Sequence, residues 1–275
     1  MSPRIALVHG IGRDLHDWDA VLPGLADIVE DRAGDLVPVD LAGFGDAPPP
    51  PDGRYSPAAH AERVARQVLE DAHGPVHLVG NSLGGLVATL VAAREPTRVA
   101  SLTLVAPALP VGRTSSAGVQ LSLLGLPAAG PALIRAGRRQ PADRRARDLA
   151  TLTLSRPREF DPDRLVALEQ AILARDAVPH ADPAFAATMR GISALLLRPW
   201  PVRRAIAGLR MPVVALYGRY DRLVPVRQAA QLQRLLPSAD VRVLPHAGHL
   251  IPLEDPADVV DAVRSQVALA SVRRP

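Results

Sequence analysis

Residues 76–86 read V-H-L-V-G-N-S-L-G-G-L, and this stretch decides the fold class of the chain. An apolar strand pattern runs directly into Gly-Asn-Ser-Leu-Gly and then into a helical pattern with no spacer. A serine on such a sharp turn has a strained backbone, and the glycines at positions 80 and 84 leave room for it. The first N–H groups of the helix and its positive dipole end favour a developing oxyanion nearby. We therefore interpret Ser82 as a nucleophile and the Leu83 N–H as an oxyanion donor. The alternative is a glycine-rich packing turn.

Outward from this turn, strand-like runs alternate with helical stretches, which predicts an α/β fold. The strand-like runs are residues 5–8, 36–40, 76–79, 102–105, 213–217 and 241–244, and the helical stretches in the first half are residues 17–30, 57–72 and 83–93. Some strands lack any apolar/polar alternation, as expected of a parallel sheet buried on both faces. We predict a mostly parallel, doubly wound sheet of about six strands.

One long segment interrupts this alternation. Residues 107–208 contain no convincing strand and are rich in Leu, Ala and Arg, with Pro at intervals. We predict a core formed by residues 1–106 and 209–275, with a helical insertion at 107–208. An insertion after the carboxyl end of a strand lies where open α/β sheets bind ligands, so it could form a lid.

The segment His9-Gly10-Ile11-Gly12 follows the first strand and predicts a second oxyanion donor. Its glycines let the main chain approach the nucleophile closely. The N–H of Ile11 would then pair with that of Leu83. We interpret His9 itself as a structural hydrogen-bonding residue.

A nucleophilic serine needs a base, and the base needs an orienting acid. Asp221 follows the strand at 213–217, and His249 lies in the loop after the strand at 241–244. The chain order Ser82, Asp221, His249 is the order of a nucleophile-elbow triad. His246 is the competing base, but it lacks the adjacent glycine that would let the loop bend inward.

Composition excludes several other classes of protein. Among 275 residues, 48% are hydrophobic and 22% charged, and there is no cysteine. A disordered chain, a disulfide scaffold and thiolate metal sites are thereby excluded. The sequence pI of about 10.4 arises from basic residues that are all arginine, and aromatic residues make up only 3%. We expect no nucleic-acid partner, no metal and no organic cofactor.

The sequence predicts a cytoplasmic protein without a membrane partner. No apolar run approaches the roughly 20 residues that span a bilayer. The N-terminal segment lacks the apolar region and cleavage site of a secretory signal. Oligomeric state is left open by the sequence.

These motifs resemble the α/β-hydrolase fold family, in its serine-nucleophile, esterase-like branch. The resemblance covers nearly the whole chain, including the turn at residues 40–45 and Trp18, which we read as a packing residue. It implies that residues 107–208 form a helical cap over the active site. It also implies cleavage of an ester or related acyl bond through an acyl-enzyme intermediate. Family members often begin with a β-hairpin, and only about eight residues precede the His9 loop here.

Several activities of the family differ in their site residues. Haloalkane dehalogenases and epoxide hydrolases use aspartate at the position of Ser82, so both are excluded. Carbon–carbon bond hydrolases commonly carry Trp after the base, where this chain has Leu250. They stay an alternative, as do cofactor-free perhydrolases, thioesterases and lactonases. A non-catalytic binding protein with the same fold is the alternative from another class.

The insertion is expected to set substrate specificity. Its leucine-rich stretches and nearby large side chains form either the core of the cap or an apolar pocket. We predict that Phe185, Met189 and Trp200 contact a small, largely apolar substrate. The densest run of arginines lies at positions 135–147. We read it as a solvated helix face, with an anion-recognition patch as the alternative.

Overall fold

The molecule is built on one six-stranded parallel sheet. A computed structural model describes residues 3–29, 35–156 and 161–272. The strand order is β2-β1-β3-β4-β5-β6, and all neighbouring strands are parallel. The predicted fold class and strand number are confirmed. The strands are β1 (Ile5–Val8), β2 (Leu36–Val39), β3 (Val76–Asn81), β4 (Val99–Val105), β5 (Val213–Gly218) and β6 (Asp240–Leu244).

Twelve α-helices lie in the described part of the chain. Those outside the predicted insertion are α1 (Leu22–Ala26), α2 (Pro57–Leu69), α3 (Leu83–Arg94), α10 (Arg227–Leu235), α11 (Ile251–Glu254) and α12 (Pro256–Val272). Those between β4 and β5 are α4 (Ser116–Ser122), α5 (Ala129–Arg138), α6 (Ala142–Thr153), α7 (Pro162–Ala177), α8 (Ala181–Leu197) and α9 (Trp200–Ala207).

Helices cover both faces of the sheet, which explains why β1 is apolar at all four positions. In β1, Ala6 and Val8 pack on one face with α2 and α3, while Ile5 and Leu7 pack on the other with Trp18 and α12. Successive side chains of a strand point to opposite faces, so a strand covered on both sides must be apolar at every position. All four residues of β1 are buried.

The strand order has a switch point between β1 and β3. The chain runs from β1 outward to β2 and then returns to the other side of β1 to form β3. In open α/β sheets, ligands bind at such a point, beyond the carboxyl ends of the strands. The His9 loop follows β1 and Ser82 follows β3, so both lie at this place.

The helical stretch predicted at residues 17–30 is wrong as one continuous helix. A 3-10 helix at Leu15–Trp18 precedes the short α1, and a second 3-10 helix follows at Asp27–Val29. Pro23 lacks an N–H and clashes with the preceding turn, so it permits a helix only near its start. Glu30 lies outside the described residues.

Within the described ranges, no single helix has the length and apolar character needed to cross a bilayer. One bent pair, Ser116–Gly125 with Ala129–Arg138, meets that test by length and composition only, with an angle of 107° between its parts.

Candidate active site

Ser82 is the single residue between the end of β3 and the start of α3. Its backbone has φ 52° and ψ −112°, a conformation that L residues rarely adopt. A side chain at Gly80 would overlap the backbone of Gly84, and one at Gly84 would overlap the carbonyl group of Val8. Strain of this kind costs on the order of 1–3 kcal/mol and persists only where the surroundings impose it. Both glycines are thus required by the close approach of backbone to backbone.

Hydrogen bonds to the end of β4 hold this turn in place. The Ser82 N–H donates to Val105 O at 2.9 Å, and the Asn81 amide donates to the same oxygen at 3.1 Å. The Ser82 carbonyl accepts from Ala108 N at 3.0 Å. The Ser82 hydroxyl has no hydrogen bond to another described residue, and the residue is 8% exposed. Its oxygen is therefore available to a ligand.

Asp221 and His249 form a buried pair at the carboxyl ends of β5 and β6. Asp221 Oδ2 lies 2.7 Å from His249 Nδ1, and its Oδ1 accepts from the N–H groups of Leu223 and Val224, each at 2.8 Å. Because a carboxylate only accepts, Nδ1 carries the proton and donates it. The other ring nitrogen, Nε2, is then left as a base. His249 and Ser82 line the same cavity.

The main chain around His249 is fixed by the end of α6. His249 N donates to Thr153 O at 2.6 Å. The Glu254 carboxylate accepts from Gly248 N at 2.7 Å and from both the N–H and the hydroxyl of Ser155 at 2.6 Å. Glu254 thus joins the loop that carries His249 to the segment that follows α6. Sequence reasoning missed this residue, although it lies only five positions after His249.

The His9 loop packs directly against the Ser82 turn. A Cβ at Gly10 would lie 3.1 Å from Asn81 Oδ1 and 3.5 Å from Ser82 Cβ. His9 Nδ1 is 2.6 Å from Gly10 O, and Leu41 N donates to His9 Nε2 at 3.0 Å. Nε2 is therefore an acceptor and the ring is neutral, in agreement with burial, which lowers the pKa of His9. His9 shapes the loop and is no free base.

The two predicted oxyanion donors come from two different segments of the chain. Leu83 is the first residue of α3, where N–H groups have no partner within the helix. Ile11 lines the cavity together with Leu83 and Ser82. The structure thus brings four of the five sequence-predicted site positions to one cavity, and the fifth, Asp221, is bonded to His249 in its wall.

The cavity has a volume of about 200 Å³ and a mostly apolar wall. Phe185 and Met189 of α8 line it, as do Leu121 and Ile192. Contact of these side chains with a substrate stays a prediction. Trp200 does not line it: this residue starts α9 and is 74% exposed. Trp200 follows Pro199 in the chain, and its ring points to the surface. The structure therefore gives no support to the predicted contact of Trp200 with substrate.

Two further sequence candidates lie outside the cavity wall. His246 is exposed. In the arginine run, Arg145 pairs with Asp176, and Arg138 lies 2.7 Å from Asp182. These two guanidinium groups are paired with carboxylates of α7 and α8. They are therefore not available to bind an anionic substrate, which weakens the anion-recognition alternative. Among the residues described, no three His, Asp or Glu side chains are grouped as metal ligands would be.

Comparison with known proteins identifies the class of this fold and site. The family model described as alpha/beta hydrolase fold matches residues 3–256. The chain belongs to the α/β-hydrolase fold family and is an enzyme of its esterase-like branch. Two relatives are named pimeloyl-[acyl-carrier protein] methyl ester esterase. The one from Klebsiella pneumoniae is 32% identical over 257 residues, covering 92% of this chain and 89% of the relative. The one from Vibrio campbellii is 30% identical and covers 90% and 88%.

Solved structures show the same architecture. A thermophilic esterase from Thermogutta terrifontis superposes with a TM-score of 0.72 at 25% identity, covering 98% of this chain and 90% of that one. A 2-hydroxy-6-oxo-6-phenylhexa-2,4-dienoate hydrolase from Rhodococcus gives a TM-score of 0.78 at 20% identity, with coverage of 97% and 91%. The second likeness concerns the fold alone.

Proposed function

We propose that Ser82, His249 and Asp221 form the catalytic triad of this ester-cleaving serine hydrolase. His249 Nε2 removes the proton from the Ser82 hydroxyl as its oxygen attacks the acyl carbonyl. Asp221 holds the imidazole in the required tautomer and stabilises the imidazolium that forms. The imidazolium then protonates the departing alkoxide, and a water activated by the same nitrogen releases the acid and frees Ser82.

The N–H groups of Ile11 and Leu83 stabilise the negative oxygen that develops on the attacked carbon. Both belong to backbone held rigidly around Ser82, so they need no reorganisation during the reaction. The positive end of α3 adds to their effect. Neither a metal nor an organic cofactor has a role in this scheme.

The observation that carries this proposal is the hydrogen bond of 2.7 Å between His249 Nδ1 and Asp221 Oδ2. His249 lines the same cavity as Ser82, whose backbone is strained. A binding protein would have no need of a buried, oriented base beside a hydroxyl without a partner. The non-catalytic alternative is therefore disfavoured.

The helices of residues 107–208 act as a cap over the site, and residues 1–106 and 209–275 form the core. Support comes from the cavity wall, which combines core residues with side chains of α4, α6 and α8. The substrate is a small ester, because the cavity of about 200 Å³ is smaller than the ~300–1,000 Å³ typical of sites for drug-sized ligands. Its acyl part is largely apolar, because the cavity wall is mostly apolar. Methyl esters are the first candidates, since the relatives are named for one. Cytoplasmic location and the absence of nucleic-acid and membrane partners stay predictions.

The test is hydrolysis of short p-nitrophenyl and methyl esters, together with labelling by a fluorophosphonate probe. Wild type should turn over and be labelled. Ser82→Ala should lose both, and His249→Ala should lose at least about a thousandfold in kcat, because members of a triad act as a unit. Both variants should keep the wild-type thermal transition.

Retained turnover in Ser82→Ala would refute the assignment. If wild type showed neither turnover nor labelling, the result would favour the binding-protein alternative. Cleavage of a vinylogous diketone in preference to every ester would favour the carbon–carbon bond hydrolase alternative. Perhydrolysis with acetate and peroxide, measured in parallel, tests the perhydrolase alternative.

A further inference from the structure

The polar groups of the cavity differ in whether the protein already satisfies them. Apart from Ser82 and His249, the polar side chains in its wall belong to Arg13, Asn81, Thr114, Ser122, Thr153 and Gln228. Arg13 donates to Asp17 Oδ1, Asn81 to Val105 O, Ser122 to Gly118 O and Thr153 to Leu149 O. Of the remaining two residues, Gln228 donates through its amide nitrogen to Arg113 O, and the Thr114 hydroxyl has no hydrogen bond to another described residue.

Gln228 is the more constrained of these two residues. It lies in the first turn of α10, is 3% exposed, and lines the cavity together with Leu223 and Val224 of the Asp221 loop. Its Nε2 donates to Arg113 O at 3.4 Å. Because that carbonyl can only accept, the amide nitrogen must face it. The orientation of the amide is thereby fixed, and Oε1 is directed elsewhere.

The Oε1 atom of Gln228 is buried and has no hydrogen-bond partner among the described residues. A buried acceptor left unpaired costs about 1–3 kcal/mol, and such groups call for an explanation where they occur. Because Gln228 lies in the wall of the cavity, a donor carried by the substrate can supply the missing partner.

We propose that Gln228 is a specificity-determining residue whose Oε1 accepts a hydrogen bond from a hydroxyl or N–H group of the substrate. This inference rests on the proposed esterase function and narrows its substrate class. The preferred substrates are small esters that carry a neutral hydrogen-bond donor on the acyl or alcohol part, in addition to apolar carbon.

The chemistry of the wall excludes other partners for this atom. A carboxylate or a phosphate has no proton to offer to an acceptor and would be repelled by it. An ammonium group would have to be desolvated among apolar side chains with no carboxylate in the cavity wall to pair with it. Arg13, the one arginine that the described part of the chain contributes to the wall, is already bonded to Asp17. A neutral donor is the group that the wall accommodates.

The experiment compares kcat/KM for methyl hexanoate and for its hydroxylated and amide-bearing analogues, with the polar group varied along the chain. For wild type, at least one analogue should exceed methyl hexanoate by about tenfold or more, because the unsubstituted ester leaves Oε1 unpaired. In Gln228→Met, which keeps the length of the side chain without its amide, the ratio should fall to about one or below. The ratio is calculated from each variant's own kcat/KM on methyl hexanoate.

Arg227→Met is the matched control. Arg227 is exposed, and its guanidinium donates to Arg113 O at 3.2 Å and Thr114 O at 3.1 Å, so it anchors the same loop as Gln228 without lining the cavity. Its substrate ratio should equal that of wild type. An equal fall in both variants would mean that the loop, and no direct contact, sets specificity, and the inference would be overturned.

Two other outcomes are also decisive. If wild type hydrolyses esters but prefers no donor-bearing analogue, the inference fails and the proposed function stands. If wild type hydrolyses none of the esters and is not labelled by a fluorophosphonate, the proposed function itself has failed.

Discussion

His60 joins the core of the molecule to the helix that forms part of the cavity wall. It lies on α2 with no exposed surface, and its Nε2 is 3.1 Å from Thr188 Oγ1 on α8. Met189, the next residue on α8, lines the cavity. The His60 Nδ1 is buried and has no partner in the described part of the chain. Protonation of His60 would therefore create a buried charge with one N–H unpaired.

The cost of that charge can be worked out from the pKa. Burial first, and then the charge of Arg63, lower the pKa of His60 from 6.5 to about 4. The unfolded chain binds the proton more tightly, so the stabilisation is complete above pH 6.5 and is lost as the pH falls towards 4. At about 1.4 kcal/mol per pKa unit, the limiting loss is about 3 kcal/mol, of which about 2 kcal/mol falls between pH 7 and pH 5.

Urea unfolding at pH 7 and at pH 5 measures this loss directly. In His60→Gln the side chain stays neutral and keeps a group able to bond Thr188. The drop in the free energy of unfolding from pH 7 to pH 5 should therefore be about 2 kcal/mol smaller in this variant than in wild type. His246→Gln is the control, because His246 is exposed and should leave the wild-type drop unchanged. Equal drops in wild type and His60→Gln would refute the reasoning.

Three further predictions concern Glu254 beside the His249 loop and two helical glycines. Glu254→Gln places an amide NH₂ against one of two N–H donors, at Gly248 or at Ser155, so the His249 loop should shift. We expect kcat to fall roughly ten- to a hundredfold with little change in KM. An unchanged kcat would contradict this role of Glu254. Gly84→Ala should lower the free energy of unfolding by about 3 kcal/mol, because its methyl group overlaps backbone. Gly137→Ala, where a methyl group meets nothing within 4 Å, should be neutral or stabilising by about 0.5–1 kcal/mol in the same denaturation assay.

The strongest features of the fold and site were predictable because their causes are local. The strand of residues 76–81 is mostly apolar and leads directly into Ser82, and Gly80 is required by the backbone of Gly84, four residues away. The same holds for Asp221 and His249, since each directly follows a strand of a sheet whose carboxyl ends meet at one edge. Chain order and strand position together were enough to select them.

Features that depend on distant contacts were missed. Gly24 lies within α1, and a Cβ there would lie 2.7 Å from Val260 Cγ2 on α12. The need for glycine thus comes from a helix near the other end of the chain. Trp200 was predicted at the pocket by its residue type, whereas Gln228 reaches the cavity because α10 starts beside the Asp221 loop. Residue type alone does not determine which side of a helix faces the cavity.

The end of α6 links the proposed cap to the base physically. Thr153 O accepts from His249 N at 2.6 Å, Leu154 O accepts from Arg222 at 2.7 Å, and Ser155 is bonded to Glu254 at 2.6 Å. His249 and Arg222 belong to the loops that carry the base and Asp221, and Glu254 ends α11, which directly follows the His249 loop. A displacement of α6 therefore changes the position of the base as well as the shape of the cavity. Substitutions in the cap that alter substrate choice should for this reason change kcat as well as KM, unless they leave residues 153–155 in place.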